Sequence, residues 1–231
     1  MAVGLACLLA QPAAGQSDAG PLVDRVLAAY GGSAALSMVS SYRMEGAVRT
    51  SHGRSPSPML RVFERPARLK VVLEHPDVKE IRILDGPVGW RSDRSGAFAE
   101  AEGPLLDSMK LQAARAALPW ILAARRDSVT LGEPLVVEGT SLPGLELLLE
   151  PGLSLHAYVD PETDQILRVS TVLDSPTMKI TFETHYSGFE VVEGILFARV
   201  EQNYAGGRHT ATTEIEKVVV NPDLAEDEFR P

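Results

Sequence analysis

Hydrophobic and polar positions along this chain change period three times, and each change marks a boundary between kinds of element. Between Pro21 and Tyr30, the residues Leu22, Val23, Val26, Leu27 and Tyr30 recur on one helical face, with Asp18 upstream as a cap and Gly31-Gly32 as the stop. Ser33 can cap a further short turn through Met38. From Ser41 the period is two. Tyr42, Met44, Gly46 and Val48 alternate with Arg43, Glu45, Ala47 and Arg49, the pattern of a half-buried strand. The same reading predicts strands at Met59–Glu64, Arg68–Glu74, Val78–Leu84 and Val88–Ser92. They are separated by Arg65-Pro66, His75-Pro76-Asp77 and Asp85-Gly86-Pro87, all turn chemistry. Closely spaced turn signals imply that sequence neighbours pair antiparallel, as a meander.

The alternation breaks between Pro104 and Arg126, a stretch rich in Ala and Leu, where Leu105, Met109, Ala113, Ala116 and Trp120 recur at helical spacing. Pro119 cannot sit in a helix interior, so the insert reads as two helices, about 104–117 and 119–126. Arg125 and Arg126 close the second, where cations suit the dipole. Strands then resume at Val129–Leu131, Leu135–Glu138, Leu145–Glu150, Ser154–Asp160 and Gln165–Leu173. Alternation from Met178 to Tyr186, then Phe189–Val192, Ile195–Tyr204 and His209–Val220, completes the set, with hairpin turns at Glu193-Gly194 and Gly206-Gly207. The expectation is an α+β fold, mainly antiparallel β: a single domain over 18–231, built on one curved sheet of roughly ten to twelve strands, with an N-terminal helix and a helical insert at 104–126.

Composition narrows the classes. The chain has 231 residues, 45% hydrophobic and 23% charged, which excludes collagen-like, disordered and disulfide-scaffold proteins. The net charge of −9 argues against uniform attraction to nucleic acid. That total is uneven. Arg43 to Arg94 holds eleven Lys and Arg against seven Asp and Glu, whereas the residues after Arg94 carry ten against twenty-two. Two partners could meet the basic half, an anionic headgroup or an acidic protein, but the two halves offsetting one another across the sheet is the favoured reading. The acidic end, Asp223, Glu226, Asp227 and Glu228, reads as a solvated tail. Before Asp18 there is no charge, and Val3 to Ala10 is a short apolar run leading into Gln11-Pro12-Ala13-Ala14-Gly15. Residues 1–15 are thus expected to be a signal segment, truncated at its basic start, cleaved near Ala14 or Gly15 and addressing the protein to the periplasm or another exported location. Cys7, the single cysteine, would leave with it. No later window reaches ~18 uncharged apolar residues, so no transmembrane segment is expected in the remainder.

Signatures of catalysis are missing. His52, His75, His156, His185 and His209 are scattered, without metal-ligand spacing. His156 and Asp160 share a strand face but lie about 13 Å apart, too far for a direct hydrogen bond. No nucleophile elbow or phosphate loop appears. Asp160, Glu162 and Asp164 are explained by a hairpin tip better than by calcium. The sequence therefore predicts no enzyme, no cofactor and no metal site, although a hydrolase assembled from distant residues would leave no local motif.

A run of short motifs resembles one family. Ala29-Tyr30-Gly31-Gly32 with Ala35-Leu36 and Ser41-Tyr42-Arg43-Met44-Glu45-Gly46 opens it, and Arg65-Pro66, Asp85-Gly86 and Gly89-Trp90 follow. Tyr158-Val159-Asp160-Pro161-Glu162-Thr163, Tyr186-Ser187-Gly188-Phe189, Val192-Glu193-Gly194-Ile195-Leu196-Phe197 and Val220-Asn221-Pro222 with Phe229 complete the series. In order and spacing these resemble LolA-like outer-membrane lipoprotein-sorting proteins over about residues 20 to 231. The resemblance implies a half-open antiparallel barrel with a helix across its mouth. It also implies a concave apolar face holding acyl chains and a role ferrying lipids or lipid-modified proteins. Such carriers often have a basic residue near the mouth, for which the sequence alone offers no position.

A widely curved sheet has a concave face that its own side chains cannot fill, so apolar helices over it either complete a core or roof a cavity. Candidates for the roof are Leu105, Leu106, Met109, Leu118, Trp120, Ile121 and Leu122. Candidates for the sheet face are Met59, Phe63, Trp90, Met178 and Phe182, because methionines and aromatics adapt to irregular apolar ligands. The expected partners are acyl chains of a lipid or lipoprotein, and an envelope protein. Two other readings stay open: an envelope interaction or sensing module with a filled core, and the dispersed hydrolase.

Overall fold

The computed structural model describes residues 18–53, 55–175 and 178–231; the expected signal segment, with Cys7, lies outside them. Helix α1 (Gly20–Ala29) buries Leu22, Val23, Val26 and Leu27, the face set by their spacing. Asp18 Oδ1 accepts a 2.8 Å hydrogen bond from the Gly20 N–H and so satisfies a donor that the helix itself cannot. Gly31 follows at φ 112°, and a Cβ there would lie 2.1 Å from the Gly194 carbonyl oxygen. Glycine is required twice over, for its handedness and for this close approach. Helix α2 (Gly32–Met38) then leads into the sheet.

Strands β1 (Ser41–Thr50), β2 (Ser57–Glu64), β3 (Arg68–His75), β4 (Val78–Asp85), β5 (Val88–Ser92) and the short β6 (Phe98–Glu100) form the first meander. The insert is α3 (Gly103–Ala116) and α4 (Leu118–Ala124), closed by a 3₁₀ turn at Arg126–Ser128. Pro119 lies in the first turn of α4, where its missing N–H costs nothing, so it starts a helix rather than breaking one. Strands β7 (Thr130–Val137), β8 (Thr140–Glu150), β9 (Leu153–Val159), β10 (Ile166–Ser175), β11 (Met178–Ser187), β12 (Glu190–Val192), β13 (Ile195–Phe197), β14 (Val200–Ala205) and β15 (Arg208–Val220) follow.

Thirteen strands make one antiparallel sheet in the order β6-β5-β4-β3-β2-β1-β15-β14-β11-β10-β9-β8-β7, so β1 beside β15 joins the two meanders. The ends β6 and β7 do not pair with each other, and the barrel stays open. Curvature enters at bulges, one of them between Glu45 and Gly46, where β1 shifts register against β15. A Cβ on Gly46 would sit 2.1 Å from the Glu214 carbonyl oxygen, so the two backbones close only on glycine.

Four details differ from expectation. Strand β6 lies in a stretch for which no strand is expected. Val129–Leu131 and Leu135–Glu138 are largely one strand, β7, carried past a register shift between Gly132 and Leu135. Ile195–Tyr204 divides in two, because β13 leaves the main sheet to pair with β12. The acidic end is solvated only in part: Asp223, Glu226 and Asp227 are exposed, but its last acidic side chain is not free. Glu228 pairs with Lys70 at 3.0 Å and Arg43 at 3.6 Å, and Phe229 is buried with Val62 and Ile83. The excess charges of the two halves meet here on the convex face.

Candidate functional site

Alternation assigns each strand's side chains to a face. Tyr42, Met44, Met59, Phe63, Val71, Leu84, Leu145, Leu155, Val169 and Ile215 belong to the main core on the concave side, together with α1, α2 and α4. At one end of this face aromatic side chains pack closely. Tyr42, Phe63 and Trp120 form an aromatic cluster with centroid separations of 5.1–6.0 Å, and Phe197 meets Tyr42 edge-on at 5.4 Å. The Trp120 indole donates to the Leu36 carbonyl at 2.9 Å and the Tyr42 hydroxyl donates to Ala116 at 2.9 Å, which ties α4 and the end of α3 down. Burial pushes the Tyr42 phenol well above the ordinary tyrosine range.

A buried ion pair stands at the middle of the concave face. Arg61 on β2 donates two parallel bonds, 2.7 and 2.8 Å, to the Glu201 carboxylate on β14. Two strands, β1 and β15, separate their strands, about 14 Å at ordinary spacing. The side chains meet only because the concave surface converges. Burial opposes the charge of Glu201, but Arg61, and to a lesser degree Arg115, hold its carboxyl below the usual carboxylate range.

Beyond the pair, α3 roofs the sheet without filling the space beneath it. The face of α3 that carries Ser108, Leu111, Gln112 and Arg115 looks into a groove of about 450 Å³. Val48, Met59, Val71, Leu73, Leu173, Phe182 and Ala211 are apolar residues of its wall, with Arg61, Arg82, Glu183, Glu201, Thr171, Asn203 and Thr213 among the polar ones. The opposite face of α3, with Lys110, Ala113 and Ala114, borders a second cavity of about 790 Å³. That one opens past Trp120, Ile121, Leu84, Leu149 and Leu153, and Arg65, Lys110 and Arg125 are the basic residues along it. Lys110 is paired with Glu150 at 2.7 Å, and Arg125 donates to the Leu148 carbonyl at 3.0 Å.

The candidate residues therefore separate into groups. Met59 and Phe182 line the 450 Å³ groove. Trp120 and Ile121 line the larger cavity, and Leu118 borders a small void of about 70 Å³ beside the ion pair. Phe63 and Leu122 are fully buried core, and Leu105 is exposed. Leu106 and Met109 pack over β5, where a Cβ on Gly89 would lie 3.1 Å from each. Trp90 stands apart from the concave face. Its cross-strand partner is Ile83, and both join Val62 and Phe229 in the cluster on the convex side. Met178 opens β11 with its side chain outside those described.

Sequence reasoning missed Arg61, Glu201, Gln112 and Arg115, which line both the groove and the small void. A signal existed for one of them: Arg61 shares the inward phase of Met59 and Phe63.

Among the described residues, no group of His, Cys, Asp and Glu gathers in a way that could hold a metal ion, and no helix is long and apolar enough to cross a membrane. Asp164, from the acidic turn, is engaged by Arg25 at 3.0 Å. Ser57 Oγ contacts His75 Nδ1 at 2.9 Å, but no carboxylate among the described residues orients the other ring nitrogen, as a triad requires.

No protein-family model matches the sequence, and a search of curated proteins finds none that matches. Solved structures do match. A DUF1329 family protein from Desulfovibrio piger superposes with a TM-score of 0.60 at 11% identity, over 92% of this chain and 97% of its own. A LolA superfamily protein from Nitrosomonas europaea gives 0.59 at 11%, over 93% and 98%. A domain described as outer membrane lipoprotein-sorting, from Vibrio parahaemolyticus, gives 0.58 at 9%, over 91% and 95%. At such identities the likeness is one of architecture: this chain shares the open half-barrel fold of these three structures along nearly its whole length.

Proposed function

We propose that this chain is a non-catalytic carrier, a single domain over 18–231, that takes an acyl chain of a lipid or lipoprotein between α3 and the concave face. In this reading the protein works in the periplasm, or otherwise outside the cytoplasm, once the segment before Asp18 has been removed. The observation that carries it is the groove of about 450 Å³ beneath α3, walled by Val48, Met59, Val71, Leu73 and Phe182. Its volume is that of a small-molecule site, and its apolar residues, with a few polar groups among them, leave a space that a filled core would have closed. Each methylene buried there is worth about 0.8 kcal/mol, so a continuous groove is enough to hold a chain. The outer membrane lipoprotein-sorting domain with the same architecture supports the carrier reading.

The test is direct. Delipidated protein titrated with the fluorescent fatty acid cis-parinaric acid should show saturable binding. Ala211→Trp, which fills the groove from β15, should lower that affinity at least tenfold with little change in melting temperature. A wild-type protein that takes up no probe overturns the reading.

A further inference from the structure

Arg115 differs from the other charged groups around the groove. Arg61 and Glu201 neutralise each other through two short bonds. Arg82 is bound to Glu80 at 2.6 Å, and Glu183 lies 3.3 Å from His185. The Arg115 guanidinium makes no hydrogen bond and no ion pair with any described residue, and the side chain is half-buried on the inner face of α3. Gln112 is three residues away on the same face, and its side-chain amide is likewise without a hydrogen-bond partner among the described residues. Glu201, whose carboxyl Arg115 helps hold ionised, is already bonded twice by Arg61, so these three groups leave one positive charge in excess, and an anion in the groove would complete it. The planar guanidinium fork and an adjacent amide donor match a carboxylate.

Resting on the carrier reading, we propose that Arg115 and Gln112 form a head-group site for the carboxylate of a single-chain fatty acid, with its tail lying along Met59, Val71, Leu73 and Phe182. One unneutralised positive charge suits a monoanion; a doubly charged phosphate would call for a second free cation, and Arg61 and Arg82 are already engaged. The volume, about 450 Å³, is likewise on the scale of one chain with a small head.

The experiment compares cis-parinaric acid with its methyl ester, which keeps the tail and removes the charge. At pH 8 the wild-type protein should bind the acid about tenfold more tightly than the ester, the scale of one charge-assisted hydrogen-bond pair. Arg115→Gln should bring the acid to within about twofold of the ester. Arg115→Lys should retain most of the preference. Because the Arg115 guanidinium has no direct hydrogen bond or ion pair among the described residues and acts on Glu201 only at a distance, Arg115→Gln should melt within a few degrees of wild type. If that variant does not fold, the wild-type acid-to-ester ratio and Arg115→Lys still decide the matter. Equal affinity for acid and ester in the wild type, or a preference that survives Arg115→Gln, overturns the head-group site and leaves the carrier reading standing. Failure to bind either probe overturns both.

Discussion

The two ends of the concave face share one sheet, yet one is the more solid, packed with aromatic side chains, and the other hollow. At the solid end, the side chains of α1, α2 and α4 enter the curve, and Trp120 reaches Tyr42 and Phe63 while bonding to Leu36. At the hollow end, α3 presents Ser108, Leu111, Gln112 and Arg115, of which Leu111 alone is a large apolar side chain. The lesson is that the same curvature yields a core or a cavity according to the bulk of the side chains facing it.

That contrast can be broken most forcefully at the solid end. Trp120→Ala removes a nearly buried indole and leaves the Leu36 carbonyl without its donor, and should cost about 3–5 kcal/mol in denaturant unfolding. The ion pair between the two ends comes next. Glu201→Gln leaves Arg61 charged in a buried place, and should cost about 3 kcal/mol by the same measurement. Its pH dependence has a definite sign. The native carboxyl of Glu201 titrates below its unfolded value of about 4.3, so its contribution is complete above that pH. The contribution is lost as pH falls through the lower native value, and acid unfolding profiles of Glu201→Gln should lack that component. The smallest effect on stability belongs to the hollow end. Phe182→Ala, on a partly buried wall residue, should cost only about 1 kcal/mol yet weaken fatty-acid binding severalfold. A Phe182→Ala loss as large as that of Trp120→Ala would mean that the groove is closed in solution.

Much of the fold was legible because it is periodic. Two-residue alternation marked β1 to β5 within a few residues, and the Ala-Leu stretch around Pro119 revealed both helices of the insert. Strand phase was readable where one face is polar, as in β1, but not where both faces are covered. Ile83 and Leu84 are both buried, one on each side of the sheet, and Trp90 follows Ile83 rather than Leu84. A sequence pattern that is apolar on both phases does not say which side is concave. The same blindness hid the role of the acidic end, since Glu228 finds Arg43 and Lys70 across a face the pattern leaves unlabelled.

The sequence by itself determined the local elements, their order and the turns between them, because those depend on neighbours within a few residues. It also determined that the middle of the chain would be helical and apolar, a roof of some kind over the sheet. Only the tertiary structure decided that Arg61 and Glu201, 140 residues apart, close on each other, and that Arg115 does not join them. It decided as well that the roof leaves about 450 Å³ beneath it. A void is the small difference between the volume a curved sheet encloses and the summed volume of side chains from many strands and helices. No short stretch of chain contains that difference, and so no local pattern records it.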